Sequence, residues 1–243
     1  MQALSASDVL EVVEWGTSHS LTSTALYLLD RAGTGLDSET LAALPLGTRD
    51  RLLLRLYGEC FAGPIRAREA CPECGAELEV ELRPADLALD AIAASGPTCL
   101  QHDGVTLRFR PTASHDLLAI EGASDEADAA RALALRCIET AQRGDTELAP
   151  EEIGDETIAR LGEAMALADP QADLTLDLAC ADCGHRFGRS FDIARVLVDE
   201  LVNVSRRIFC DVHALARGYG FSEAQILGMS AWRRQAYLEM LAP

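Results

Sequence analysis

Cys71-Pro72-Glu73-Cys74-Gly75 and Cys180-Ala181-Asp182-Cys183-Gly184 are the two stretches on which the reading of this chain turns. Each is a Cys-x-x-Cys-Gly knuckle. Two thiols three residues apart on a tight turn point both sulfurs at one ion, and the glycine after them admits the positive φ that the turn needs. Together the knuckles supply four thiolates, the full ligand set of a structural zinc site. One knuckle alone is a weak signal; two with the same ending make a specific one, even with 105 residues between Cys74 and Cys180.

The flanks extend the pattern outward. Ala76-Glu77-Leu78-Glu79-Val80-Glu81-Leu82 alternates apolar and acidic side chains, as does Asp173-Leu174-Thr175-Leu176-Asp177-Leu178. Such alternation predicts strands with one packed and one wet face, so each knuckle is expected at the tip of a β-hairpin. The expected fold class is α+β: mainly helical, with a small split zinc-ribbon β-element built from the two hairpins. Cys71, Cys74, Cys180 and Cys183 are the expected metal ligands, with Zn2+ as a structural ion. Iron in a rubredoxin-like cage uses similar knuckles, and ordinary thiols, disulfides or a redox-active dithiol are further readings of the same residues. A thioredoxin-type dithiol opens a helix after a strand, which the strand pattern after Cys74 contradicts.

The chain has 243 residues, 49% of them hydrophobic, enough for one large or two modest domains with a real core. No apolar stretch approaches a membrane span, and Met1-Gln2-Ala3-Leu4-Ser5 lacks a basic segment before a hydrophobic core, so no membrane association and a cytosolic protein are expected. In a reducing compartment Cys60, Cys99, Cys137 and Cys210 are expected to be free thiols in apolar or helical surroundings. The formal charge of −18 argues against nucleic acid as a partner, because phosphate recognition draws on clustered basic residues. All 21 basic residues are arginine. Acidity is densest between Glu121 and Glu156, with eleven carboxylates against three arginines, the usual mark of a solvated helical face and loop.

Five segments follow: an N-terminal helical region over 1–63, the first knuckle hairpin over 64–86, an acidic insertion of a β-hairpin and helices over 87–171, the second knuckle hairpin over 172–191, and a long helix with two short ones over 192–243. In the first, Ser7 is expected to cap a helix through Trp15, Ser20 one to Arg31, and Thr48 one in which Leu52, Leu53, Leu56 and Tyr57 share a face. In the insertion, Asp103-Gly104 turns a hairpin between Leu100-Gln101-His102 and Val105 to Arg110. Thr112 or Ser114 then caps a helix to Ile120, Ser124 starts one through Cys137, and another runs from Asp155 to Leu167. In the last segment Ile193, Leu197, Leu201, Val204, Ile208, Val212 and Leu215 form one helical stripe over about 192–217 that Gly218 and Gly220 end. Ser222 to Gln225 is a capping box, and Ser230 caps the final helix.

Several catalytic-looking groups have simpler readings. Ser114-His115-Asp116 contains the residue types of a hydrolase triad, but neighbours in sequence cannot line up nucleophile, base and orienter, and helix capping accounts for Ser114 and Asp116. His185 suits a hairpin surface, since four sulfurs already complete the ligand set. Cys210 and His213 lack two further ligands nearby. Glu151, Glu152, Asp155 and Glu156 lack the spacing of a calcium loop. Gly33-Thr34-Gly35 lacks the rest of a nucleotide-binding loop. No enzyme is expected. The last twenty-five residues instead crowd apolar side chains into three short elements. They either fold back on the long helix or present Tyr219, Phe221, Trp232, Arg233, Arg234 and Tyr237 to a partner, since aromatics and arginine are common interface anchors.

A family resemblance rests on these residues. His213-Ala214-Leu215-Ala216-Arg217-Gly218-Tyr219-Gly220-Phe221-Ser222-Glu223, continuing through Ile226-Leu227, Ser230, Arg233-Arg234 and Tyr237-Leu238, resembles the end of the baseplate hub assembly chaperones of contractile phage tails and extracellular contractile injection systems. The resemblance extends to both knuckles, to Leu46-Gly47-Thr48-Arg49-Asp50, and to Phe109-Arg110-Pro111 before Asp116-Leu117-Leu118. Phe221 stands where tryptophan is expected in relatives, which keeps an aromatic anchor. The resemblance implies a non-enzymatic assembly factor or minor baseplate component, with baseplate or spike proteins as partners and a place in a phage-tail-like particle. A zinc-ribbon transcription module and a thiol oxidoreductase are the alternatives. The first requires a basic patch, and the second requires dithiol exchange at Cys71 or Cys180.

Overall fold

Cap and turn residues set most element boundaries, and the elements gather into two compact units: Met1–Gly35 with Ala194–Pro243, and Leu36–Ile193. The computed structural model describes residues 1–89, 98–123 and 125–241. The parts of the expected insertion at 90–97 and of the C-terminal segment at 242–243 lie outside the described residues.

In the first unit α1 (Ala6–Gly16) is capped by Ser5, whose Oγ accepts from Asp8 N at 3.2 Å while Asp8 Oδ2 accepts from Ser5 N at 3.0 Å. This reciprocal pair displaces the expected cap at Ser7, whose hydroxyl donates to Glu11 instead. Ser20 caps α2 (Leu21–Arg31) as expected. The two helices pack together, and Arg31 pairs with both Asp8 and Glu11.

The long helix α9 (Ile193–Tyr219) buries Leu197, Leu201, Ile208 and Leu215 along the expected stripe. Gly218 does not end it. A Cβ there would lie 2.5 Å from Leu241 Cδ2, so this glycine admits a close approach of the last helix. Termination falls to Gly220, at φ 72° and with its N–H on the Ala216 carbonyl. Ser222 and Gln225 form the expected capping box of α10 (Glu223–Leu227), and Ser230 caps α11 (Ala231–Leu241) through Arg233 N.

The second unit begins with α3 (Ser38–Ala43), which the sequence reading did not resolve and which Asp37 caps. Next, α4 (Leu46–Cys60) starts two residues before the expected Thr48. Asp169, 122 residues away, accepts from Gly47 N at 2.8 Å and so supplies a cap from outside the local sequence. The buried face of α4 is Leu53, Leu54, Leu56 and Tyr57, with Leu52 only half-buried. Strands β1 (Ile65–Ala70) and β2 (Glu77–Leu82) form an antiparallel hairpin, followed by the short α5 (Pro84–Leu87).

The second expected hairpin is β3 (Thr98–His102) and β4 (Val105–Phe109), turning at Asp103-Gly104 with both residues at positive φ. It belongs to a four-stranded antiparallel sheet that adds β5 (Ile138–Arg143) and β6 (Thr146–Glu147), two strands absent from the sequence reading. Before them, α6 (Ser114–Ile120) is capped by neither Thr112 nor Ser114. The Asp116 carboxylate accepts from Ala113 N at 3.1 Å, while Ser114 is buried inside the helix. Helix α7 (Glu126–Cys137) is capped by Asp125; the expected cap Ser124 lies outside the described residues. It passes into β5 without a loop. Helix α8 (Asp155–Ala168) completes the layer, and Leu107, Phe109, Ala134, Ala141 and Leu161 form the core between sheet and helices. Strands β7 (Thr175–Ala179) and β8 (Arg186–Ser190) form the last hairpin.

Among the four other cysteines Cys137 is buried and Cys60 half-buried, Cys210 is exposed on a helix, and Cys99 is exposed on a strand, contrary to its expected apolar or helical surroundings. Cys99 alternates outward on an edge strand, and Cys210 lies on the face of α9 opposite its buried stripe.

Candidate metal centre

Each knuckle closes its hairpin by the same backbone chemistry. Cys71 N donates to Ala76 O at 2.9 Å and Gly75 N to Cys71 O at 2.9 Å; Cys180 N donates to His185 O at 2.8 Å and Gly184 N to Cys180 O at 2.9 Å. Gly75 and Gly184 take φ of 75° and 74°, a conformation costly for any residue with a Cβ. In each knuckle the first cysteine is buried and the second exposed, which gives the pair of hairpins matching ends.

Those ends meet. Cys71 Sγ lies 3.7 Å from Cys183 Sγ, Cys74 Sγ lies 3.6 Å from Cys180 Sγ, and all four sulfurs fall within 4.8 Å of one another. A tetrahedron with metal–sulfur bonds of about 2.3 Å has sulfur–sulfur edges of about 3.8 Å, so the donor set fits one tetrahedral ion, while a disulfide needs sulfurs about 2.05 Å apart. Among the described residues this is the one group of three or more His, Cys, Asp and Glu side chains close enough to hold a metal. A second link holds the hairpins together beside the sulfurs: Arg189 on β8 reaches Glu69 on β1 at 3.0 Å and the Ala70 carbonyl at 3.5 Å. The sequence signal for that contact was only a pair of opposite charges, each one residue inside a strand end.

Thiolate crowding makes the cation chemically apt. Burial pushes the Cys71 thiol up, but the Cys74 and Glu73 amides and neighbouring sulfurs outweigh it and hold it at about 7. The Ala76 amide acts to lower the Cys74 thiol, yet the sulfur of Cys180 and burial leave it raised. The His185 amide likewise opposes, and the other three sulfurs with burial produce, a Cys183 thiol pushed up to about 12. Four thiolates this close cannot all ionise without a positive partner, which a bound dication would supply. The residues after Cys74 form β2, so the knuckle does not open a helix as a thioredoxin-type dithiol does.

The other sequence candidates separate. His185 is half-buried and stacks on Phe187 with centroids 6.0 Å apart. Cys210 and His213 are exposed on α9 and join no ligand cluster among the described residues. Asp116 is fully buried, with Arg110 on both carboxylate oxygens at 2.6 and 2.9 Å and Arg136 at 3.3 Å, which makes Ser114-His115-Asp116 part of an ionic support. Burial raises the Asp116 carboxyl, but the Arg110 hydrogen bonds outweigh it and lower it below its ordinary value. This support faces the start of α4: Leu46 N donates to Thr112 O at 2.8 Å and Arg49 Nη1 to Ser114 Oγ at 3.4 Å. In the first unit Tyr219, Phe221 and Tyr237 form one cluster with centroids 5.3 to 5.5 Å apart. Trp232 stands apart from it at 79% exposure, Arg233 is exposed, and Arg234 is held in by Met229 O and Asp211.

The family model described as T4 bacteriophage base plate protein matches residues 32–197. That range contains the whole second unit, Leu36–Ile193, and with it all four cysteines. No curated protein and no solved structure gives a significant match to the chain.

Proposed function

Since the chain belongs to the T4 bacteriophage base plate protein family, we propose that it is a non-enzymatic assembly factor, or minor structural component, of the baseplate of a contractile phage-tail-like injection system. Zinc at Cys71, Cys74, Cys180 and Cys183 closes a split zinc ribbon between the β1–β2 and β7–β8 hairpins. The observation that carries the reading is the convergence of these four sulfurs within 4.8 Å, inside the range that the family model matches. The metal then joins strands on either side of a long insertion, so that its binding energy becomes folding energy. The exposed Trp232 and Arg233, together with the Tyr219, Phe221 and Tyr237 cluster and Arg234, serve as the surface for baseplate or spike partners. Assembly takes place in the cytosol. No helix among the described residues is long and apolar enough to cross a membrane.

Elemental analysis of the purified chain tests the clasp, with one zinc per chain expected. Iron in place of zinc would instead give the visible absorption of a thiolate cage. If neither metal is present and alanine at all four cysteines leaves the melting temperature unchanged, the clasp is wrong. Affinity purification from cells that carry the neighbouring genes tests the role. Recovery with baseplate or spike proteins supports it, and recovery alone or with RNA polymerase overturns it.

A further inference from the structure

Two exposed helix faces, neither of them containing a knuckle cysteine, are complementary in charge and shape. On α9 the face opposite the buried stripe carries Arg206, Cys210, His213 and Arg217 at steps of 4, 3 and 4, with Phe209 beside them, 55% exposed. Among the described residues Arg206, Arg207 and Arg217 make no ion pair. Asp199, on the same face, marks the N-terminal limit of this basic stretch. It stands out against the rest of the chain: residues 194–243 hold six arginines against five carboxylates, whereas residues 1–193 hold 15 against 34.

The complementary face is on α8. Asp155, Glu156 and Glu163 are exposed there, Leu167 is 82% exposed, and Ala159, Gly162 and Ala166 leave a shallow strip between them. A Cβ on Gly162 would meet open space. The carboxylates have only light internal partners: Arg131 for Asp155, His102 at 3.8 Å for Glu156, and Arg160, on the flank of the same face, for Glu163. Glu151 and Glu152, exposed just before the helix, continue the acidic run.

We propose that α9 of one copy docks antiparallel on α8 of a second copy. The spacing fixes the register. With Arg206 opposite Glu163, Cys210 falls opposite Ala159, His213 opposite Glu156 and Arg217 opposite Glu152, each step of 4, 3 and 4 on α9 meeting the same step on α8 and the turn before it. Phe209 then lies over Arg160, so the one cation of α8 itself meets an aromatic ring instead of an arginine. The small side chains of α8 accept the larger ones of α9 at close range. A second copy fits better than nucleic acid, because phosphate would meet three arginines on a chain of net charge −18.

The contact uses different patches on the two copies, so it is head-to-tail and leads to a ring or an open array. Two helix faces of four turns bury less than a standard stable interface, and exposed ion pairs contribute about 0.2–1 kcal/mol each, so the association is weak and reversible. It depends on neither the metal nor a baseplate partner.

Sedimentation velocity of the purified full chain at about 0.15 M salt tests this. The wild type is expected to shift from monomer to larger species as concentration rises to a few hundred micromolar. R206E/R217E and, separately, E152R/E163R should each weaken association by about tenfold, the effect of turning the same two attractive pairs repulsive. The chain carrying all four substitutions should recover it, because the Arg206–Glu163 and Arg217–Glu152 pairs are then both reversed together. These side chains are exposed, so the variants should melt with the wild type. For any that does not, R206Q/R217Q and E152Q/E163Q replace the reversals. A wild type that stays monomeric at every concentration overturns the proposal, as does association that the reversals leave unchanged. So does a monomeric wild type that binds duplex DNA through Arg206 and Arg217.

Discussion

Residues 36–193 are joined by partners far apart in sequence, whereas α1, α2, α10 and α11, within residues 1–35 and 194–243, start at caps that reach three residues. In the former, Cys74 meets Cys180 across 106 positions, Gly47 meets Asp169 across 122, and Gln171 bonds both Leu87 O and Leu89 N across more than 80. In the latter, Ser5 with Asp8, Ser20 with Ser23, Ser222 with Gln225 and Ser230 with Arg233 act within one turn. The difference concerns cooperativity. A long-range contact closes a loop whose entropy has already been lost, so its removal frees many residues, while loss of a cap frees one helix end.

The sharpest way to break this contrast is at the clasp. Alanine at Cys71, Cys74, Cys180 and Cys183 should abolish metal binding and remove several kcal/mol from a unit of 158 residues, a fall in melting temperature of roughly 10–20 °C. Calorimetry with and without a chelator checks it. The same unit should also be sensitive where no metal is involved. At Gly47 an added Cβ would lie 2.0 Å from Asp169 Oδ1, and the carboxylate that caps α4 must move away. Gly47→Ala should therefore cost about 2–4 kcal/mol in denaturant unfolding, the sum of overpacking and a lost buried hydrogen bond.

A pH series sharpens the comparison at smaller cost. Burial pushes the Asp50 carboxyl up to about 6 despite Arg49 beside it, and burial also raises Asp169. Both groups bind a proton more readily folded than unfolded. Their ionisation above the folded pKa therefore opposes folding, and that penalty fades as pH falls through about 6. For Asp50 the penalty is on the order of 2–3 kcal/mol at neutral pH. Stability of residues 36–193 should rise between pH 7 and pH 5, and Asp50→Asn should flatten that slope. A pH slope that Asp50→Asn leaves unchanged would show that Asp50 is ionised at no cost.

What could be read from the sequence follows the same division. The hairpins at both knuckles, the Asp103-Gly104 turn and the Ser20, Ser222 and Ser230 caps were legible because each is written within a few residues. The four cysteines were legible as a set, but the pairing of Cys71 with Cys183 and Cys74 with Cys180 depends on how two hairpins face each other. Strand β5 was not legible: Ile138-Glu139-Thr140-Ala141-Gln142-Arg143 buries only Ala141, alternates poorly, and follows α7 with no glycine or proline between. Its strand character comes from pairing with β4. The start of α4 is not written locally because its cap is Asp169, and Ser7 has the chemistry of a cap but loses the position to Ser5, whose N–H the Asp8 carboxylate accepts in return. The aromatic crowding of the C-terminal segment was legible as composition. Only the fold separates the Tyr219, Phe221 and Tyr237 cluster from the outlying Trp232.

The smallest effect is expected from Ser222→Ala. Its hydroxyl accepts from Gln225 N at 3.3 Å and donates to Gln225 Oε1 at 3.2 Å, and Gln225 Oε1 also accepts from Ser222 N at 2.9 Å, so the substitution removes two of three local bonds and exposes an amide that water can reach. The cost should be about 0.5–1.5 kcal/mol. Ile226, fully buried one turn later, keeps α10 in place, so the Tyr219, Phe221 and Tyr237 cluster should persist. Near-ultraviolet circular dichroism and urea unfolding read both points. If Ser222→Ala instead costs as much as Gly47→Ala, or abolishes the aromatic signal, the C-terminal helices are as cooperative as the cysteine unit, and local capping is not what distinguishes them.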